Sequence, residues 1–472
     1  MSPTSVEFLI FTALVYGLWR WLPVGDGGRK WILLAASYTF YGSWDLRLLS
    51  VLLGITGAQW YLGQRIHDAA SQPEKRRWLQ LSLAVGLGCL GYFKYAGFFM
   101  AGLAKPFAAM GWDNPSPLLS IAIPIGISFY VFQSLTYTVD IYRGRLAPTS
   151  SLRNFALFIA FFPHITSGPI ARARLLLPQF DAPSEATRSV PALAVFLIAR
   201  GLIKKIAIAD PLAAHFVIPA FHSPDAWSSW FLVVAVFAYS FQIYMDLSGY
   251  TDIVRGIARL FGCELQENFQ RPYLARTISA FWQRWHISMS SFFREYLFWA
   301  VGGSKHGNVF VNLMITFVAI GLWHGAGWNF VVYGFLHGAL ICIERVQREG
   351  RRAQGLSDYA DGTGAVLFGW LYTFLFVVFA RILFVAPDFG SAWHYVEVMC
   401  ASTSGASAAG PQGYLTLAAA VVLHLVPVQW EAATARRLFN LPPLLVGGGL
   451  AMVVYVLIAL AAESRPFVYF QF

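Results

Sequence analysis

Gly321-Leu-Trp-His324-Gly-Ala-Gly-Trp-Asn329 sets one histidine inside an otherwise apolar stretch. About twenty apolar residues span a bilayer, and a polar group among them is costly to keep there. Two tryptophans flank the imidazole, and small residues follow it, where the backbone can turn or approach another group closely. An imidazole titrates near neutral pH and can take a proton from a hydroxyl at modest cost. It can equally hold two helices together by hydrogen bonding, and the stretch by itself leaves both readings open.

The rest of the chain supplies the membrane. Of 472 residues, 57% are hydrophobic, 17% aromatic and 12% charged, and the mean hydropathy is +0.55. A soluble protein carries about 25% charged residues, so the composition defines a polytopic membrane protein. The net charge of +10 falls between apolar segments, which suits positive-inside loops better than a nucleic-acid surface. The segment from Val6 to Leu22 lacks a basic lead and a small-residue cleavage site and reads as a retained helix. Four scattered cysteines, Cys89, Cys263, Cys342 and Cys400, form no CxxC pair and suggest neither a disulfide framework nor a zinc site.

Apolar segments recur at about 5–22, 31–44, 47–63, 78–99, 118–141, 190–209, 227–246, 308–323, 328–344, 364–385, 413–428 and 444–461. The stretches 154–170 and 287–301 are shorter or more polar and read as re-entrant or interfacial helices. The expected fold is all-α, with about ten to thirteen membrane elements, no internal repeat, and one integral-membrane domain over residues 1–472. Ser402 to Gly413 reads as a loop. Lys75-Arg-Arg77, the Arg143/Arg145/Arg153 group and Arg345 to Arg352 are expected on the cytoplasmic side, with the sparsely charged 100–117 loop outside. Lys305 stands 19 residues before His324. That is about 28 Å if wholly helical, which puts His324 toward the outer half of the membrane.

Between Asp246 and Glu295 the apolar pattern breaks into interleaved charges, aromatics and hydroxyls. A solvated loop does not need so many rings, and a lipid-facing helix does not carry so many arginines. The segment suits the wall of a polar cavity, where Arg284, His286 and Arg294 can bind phosphates of a thioester donor. It also suits an interfacial helix snorkelling its arginines to lipid phosphates. His286 and His324 are the histidines in polar or glycine-rich settings. His337, thirteen residues beyond His324, is expected at another depth, packing or hydrogen-bonding. His164 is expected to be structural, and the other six to be loop or packing residues. No metal-ligand spacing, nucleophile elbow, P-loop or dinucleotide turn is present. No bound cofactor or metal is expected. The economical chemistry is a buried imidazole deprotonating a hydroxyl that attacks an activated acyl group.

A series of motifs then resembles the membrane-bound O-acyltransferase family, in its bacterial alginate O-acetyltransferase-like branch. The series comprises Ile123-Pro-Ile-Gly-Ile-Ser-Phe-Tyr-Val-Phe-Gln-Ser134, Tyr137-Thr-Val-Asp-Ile-Tyr-Arg143 and Phe161-Phe-Pro-His-Ile-Thr-Ser-Gly-Pro-Ile170. It continues with Asp246-Leu-Ser-Gly-Tyr-Thr-Asp252, Glu267-Asn-Phe-Gln-Arg-Pro-Tyr273, Phe281-Trp-Gln-Arg-Trp-His-Ile-Ser288 and Gly321-Leu-Trp-His-Gly325. The motif core runs over about 120–345. The resemblance implies a helical funnel or tunnel with His324 deep inside as the catalytic base and His286 as a second site residue. Asp246, Arg284 and Arg294 are weaker candidates for orienting the site or the donor. It also implies an acyl donor, acetyl-CoA or another thioester, at the inner membrane of a bacterium, and hydroxyls of an exported polysaccharide as acceptor. A periplasmic or extracellular accessory acetyltransferase is an expected partner, alongside membrane lipids. The alternatives are D-alanyl transfer to teichoic acid, peptidoglycan O-acetylation and, from another class, a transporter.

Overall fold

The computed structural model describes residues 5–100, 102, 123–181, 191–401, 405–406 and 409–460. The proposed outer loop at 100–117 and most of the 402–413 loop lie outside the described residues. Helix dominates throughout, and the described residues contribute only an isolated bridge between Trp227 and Ala406 to extended pairing. Among the described residues, four helices are long and apolar enough to cross a membrane: Gln72–Met100, Ser229–Leu260, Trp328–Ala353 and Thr363–Val385.

The chain divides into two compact units. The first comprises residues 1–194 and 254–266. Its helices Val6–Trp21, Asp26–Gly42, Leu46–Asp68, Gln72–Leu90 and Ile127–Tyr142 correspond to expected spans. The broken segment expected at 154–170 is a nine-residue helix, Leu152–Ala160, followed by turns. Ser151 caps it by accepting from the Asn154 amide. Beyond it, Phe161 and Phe162 pack with Phe261. His164 is buried here, 2.9 Å from the Gln133 side-chain nitrogen.

The second unit comprises residues 195–253 and 267–472 and holds both candidate histidines. Helix Ser229–Leu260 runs 32 residues, far past the expected end at 246. Asp246 and Asp252 therefore lie on a continuous helix and not on a broken cavity wall, because cations neutralise them within the helical packing. A Cβ on Gly201 would stand 2.4 Å from the Gly249 carbonyl oxygen. Only glycines permit two backbones to cross so closely. That crossing brings Lys205 Nζ to 2.6 Å from Asp246 and 2.9 Å from Asp210. Arg200 and Lys204 likewise reach Asp252, at 2.5 and 2.7 Å.

Helices Val309–His324 and Trp328–Ala353 form an antiparallel hairpin. A Cβ on Gly321 would meet the Phe330 carbonyl at 2.1 Å, and one on Gly334 the Phe317 carbonyl at 2.4 Å. Asn308 starts the first helix by accepting from the Phe310 amide. Residues 299–307 form turns, which corrects the assumption of continuous helix from Lys305. The 16 helical residues rise about 24 Å, less than the roughly 30 Å hydrocarbon thickness.

Candidate active site

His324 is the last residue of its helix, and the chain leaves it through an extended Gly325 at φ −166°. The residue is 2% exposed. Its ring lies edge-on to Phe384 at 4.9 Å and to Trp323 at 4.8 Å between centroids, with Tyr333 at 6.4 Å. Asn329 anchors the adjoining helix start, donating to the Leu383 and Ala386 carbonyls at 3.1 and 3.0 Å. That clamp ties the hairpin tip to the end of helix Thr363–Val385, which delivers Phe384 to the histidine.

His286 arrives differently. It sits in the left-handed region at φ 45°, ψ 55°, immediately before helix Ile287–Phe292. A non-glycine residue held there is strained, a condition that concentrates at functional sites. Its neighbours over-determine the turn. The Ile287 amide donates to the Asn268 carbonyl at 3.0 Å and the Ser288 amide to the Asn268 side chain at 2.9 Å. The Gln270 amide donates to the Arg284 carbonyl at 2.9 Å. Two motifs close in sequence, 267–273 and 281–288, thus clasp each other and present His286 inward. It is 1% exposed, and its ring meets Trp323 edge-on at 5.6 Å. Both histidines therefore pack on one indole.

A third element completes the box. Arg381 comes from the apolar helix Thr363–Val385 and is 1% exposed. Its guanidinium carbon lies 4.1 Å from the Trp285 ring and 5.6 Å from the Phe384 ring. Cation–π contacts of this kind strengthen when desolvated. Sequence reasoning overlooked Arg381, although an arginine inside the 364–385 span is by itself a sign of a buried functional or paired charge. Tyr333 carried no signal in the sequence, and it packs on His337 here. Their rings lie 4.5 Å apart, and Trp282 Nε1 donates to His337 Nδ1 at 3.3 Å. His337 is indeed a packing and hydrogen-bonding residue, and Tyr333 connects it to His324.

The weaker candidates separate. Asp246 is committed to Lys205 and sits in an ion cluster. Arg284 lines a cavity of about 1120 Å³ together with Arg276, Arg348 and Tyr359. Arg294 lines a different cavity of about 540 Å³, whose wall includes Trp282, Ile287 and Ile320. Ser279 and Gln283 border both cavities, so the helical turn carrying them is a partition. Glu344 fastens that partition, accepting from the Ser279 amide at 2.9 Å and the Tyr359 hydroxyl at 2.7 Å. Among the described residues no group of three or more His, Cys, Asp or Glu converges as a metal set.

Fold and site together define a multi-pass helical membrane protein with two buried histidines meeting in an aromatic box. A profile of the membrane-bound O-acyltransferase family matches residues 33–386. The chain is 37% identical over 404 residues to the probable alginate O-acetylase AlgI of Azotobacter vinelandii, covering 84% of this chain and 77% of that one. It is 33% identical over 509 residues to the probable alginate O-acetylase AlgI of Pseudomonas putida, covering 99% of each. It is also 34% identical over 442 residues to the peptidoglycan O-acetyltransferase of Helicobacter pylori, covering 84% and 81%. The protein belongs to the membrane-bound O-acyltransferase family. It is an O-acyltransferase, and the transporter alternative falls away.

Proposed function

We propose that the whole chain works as one integral-membrane acyltransferase of a bacterial inner membrane. It moves an acetyl group from a cytoplasmic thioester, acetyl-CoA or a derivative, to hydroxyls of an exported polysaccharide such as alginate. The carrying observation is the burial of His324 at a helix end, with His286 on the same indole. His324 takes the acceptor hydroxyl proton, the oxygen attacks the thioester carbonyl, and the departing thiolate recovers the proton. His286 orients the reacting groups. The arginine-bordered cavities, with Arg276, Arg284 and Arg294 on their walls, suit the phosphates of a nucleotide thioester entering a funnel from the cytoplasm. Asp246, paired with Lys205, holds its helix in register and takes no part in the transfer itself. An accessory periplasmic acetyltransferase completes delivery to the polymer.

Purified protein in lipid, given radiolabelled acetyl-CoA and candidate acceptors, tests the assignment. Labelled alginate-type polymer supports it, and labelled peptidoglycan alone replaces the acceptor. The Helicobacter pylori relative makes peptidoglycan the second reading. Use of only a D-alanyl carrier thioester would replace the donor. Direction is tested by cysteines at Ser304 and Gly350 in a cysteine-free background. Gly350 has open space around it, so a side chain is accommodated. Both sites are expected to react with impermeant maleimide only after the inner face is opened, and labelling in intact cells reverses the direction of acyl flow.

A further inference from the structure

The corner made by Trp282, His337 and Tyr333 has a chemistry that a packing role does not use. An indole N–H can only donate, so the 3.3 Å contact from Trp282 makes His337 Nδ1 an acceptor. The neutral ring then carries its proton on Nε2. That nitrogen has no hydrogen-bond partner among the described residues, and His337 is 0% exposed. Rings enclose it: Tyr333 at 4.5 Å, Phe376 at 4.9 Å and Phe281 at 6.5 Å. Buried N–H groups almost always have partners, so one without a partner beside the candidate base calls for one, and a substrate oxygen is a chemically suitable acceptor. Tyr333 also contacts His324, so a single ring separates this donor from the candidate base.

We propose that His337 is a further catalytic residue, whose Nε2–H holds the oxygen of the acyl carbonyl during transfer. The proposal rests on the reading of His324 as the base. As the acceptor oxygen bonds to the carbonyl carbon, its proton passes to His324 and the carbonyl electron pair moves onto oxygen. The resulting oxyanion accepts from His337 Nε2–H. When the carbonyl re-forms, the C–S bond breaks and the thiolate takes the proton from His324. His337 neither gains nor loses a proton in this sequence. Trp282 is a positioning residue: by occupying Nδ1 it keeps the hydrogen on Nε2. Donors preset where charge develops act strongly in a site closed to water.

The test uses the full chain in lipid with a ketone analogue of acetyl-CoA, in which CH₂ replaces the thioester sulfur and the carbonyl carbon is ¹³C. The wild-type complex is expected to show the carbonyl infrared band at lower wavenumber than in solution. His337→Phe loses that shift, binds the analogue within a few-fold of wild type, and loses about 10²–10³-fold in kcat with acetyl-CoA. His337→Asn, which retains an N–H donor, recovers part of both, and Trp282→Phe weakens the shift. The asparagine and Trp282 variants carry the test if His337→Phe does not fold. An unshifted wild-type band, or the same band in His337→Phe, overturns the proposal. So does a raised acceptor KM with the band unchanged. Failure of wild type to bind the analogue overturns it together with the donor assignment. If His324→Ala abolishes transfer while folded His337→Phe remains near wild type, only the role of His337 falls. If His324→Ala stays active, the reading beneath it falls.

Discussion

Lys205, Asp246 and Asp210 close on one another as ions, whereas His324 and His286 lie against a shared indole inside a box of rings. Both clusters lie in the same helical unit, and all their residues but the half-buried Asp210 are buried. In the first, each charge has an opposite charge within hydrogen-bonding reach. The ion cluster holds two helices in register, and its groups are consumed by one another. In the second, two imidazoles and the Arg381 guanidinium pack against aromatic rings. Burial alone therefore does not mark chemistry. What distinguishes the two layers is their packing: one is built of opposite charges in contact, the other of imidazoles and a guanidinium set on rings.

The sharpest way to break this contrast is His324→Ala. Acyl transfer is expected to fall by about 10²–10⁴-fold, the contribution of a general base, while the protein remains inserted and monodisperse. His324→Gln keeps hydrogen-bonding capacity without basicity and is expected to be equally inactive in a labelled-acetyl transfer assay. Recovery by glutamine would move His324 into the structural class.

The opposite result is expected on the ionic side. Lys205→Met removes the cation that pairs with the buried Asp246 and the half-buried Asp210, a loss of about 3–5 kcal/mol for a broken buried pair. Thermal unfolding in lipid reads that deficit, and transfer per folded molecule is expected to stay near wild type. A stable but inactive Lys205→Met protein would place the ion cluster inside the chemistry.

Packing at the hairpin offers an intermediate case. Gly334→Leu drives a side chain into the Phe317 carbonyl, where even a Cβ would stand at 2.4 Å. Overpacking of this kind costs about 1–3 kcal/mol, and here it also tilts the helix pair that carries His324. Lower melting temperature together with lower kcat is expected. Reduced stability with unchanged kcat would show that the histidine box tolerates hairpin movement.

The smallest effect belongs to an exposed pair. His394 Nε2 lies 3.0 Å from Asp225, and that hydrogen bond and charge raise the His394 pKa above its ordinary value. A raised histidine pKa stabilises the fold at pH values below the ordinary one, and the benefit disappears as pH rises through the elevated one. Asp225→Asn is therefore expected to melt slightly below wild type at pH 5.5 and to match it at pH 9. Equal melting at both pH values would remove the pair from the stability of this face.

Most helices were legible because apolar length is a local property. Segments such as 328–344 and 364–385 announce themselves by composition, and the structure extends them to Trp328–Ala353 and Thr363–Val385. The end of helix Ser229–Leu260 was not legible, since Asp246 and Asp252 look like a break until Lys205, Arg200 and Lys204 are brought to them across the Gly201–Gly249 crossing. His286 and His324 stood out by their motif settings. Arg381 did not, because a single arginine within an apolar run carries no label for the rings it meets.

Composition and motif order by themselves determined a membrane acyltransferase fold, the family, and the two histidines worth testing. These depend on residue types along the chain and need no knowledge of neighbours. The tertiary structure alone decided that both histidines share Trp323, that Arg284 and Arg294 border separate cavities, and that Asp246 is spent on Lys205. It alone placed Arg381 against Phe384 and His337 against Tyr333, rings that pack beside His324. Such relations join segments tens of residues apart, and only the packing of helices brings their side chains within a few ångströms.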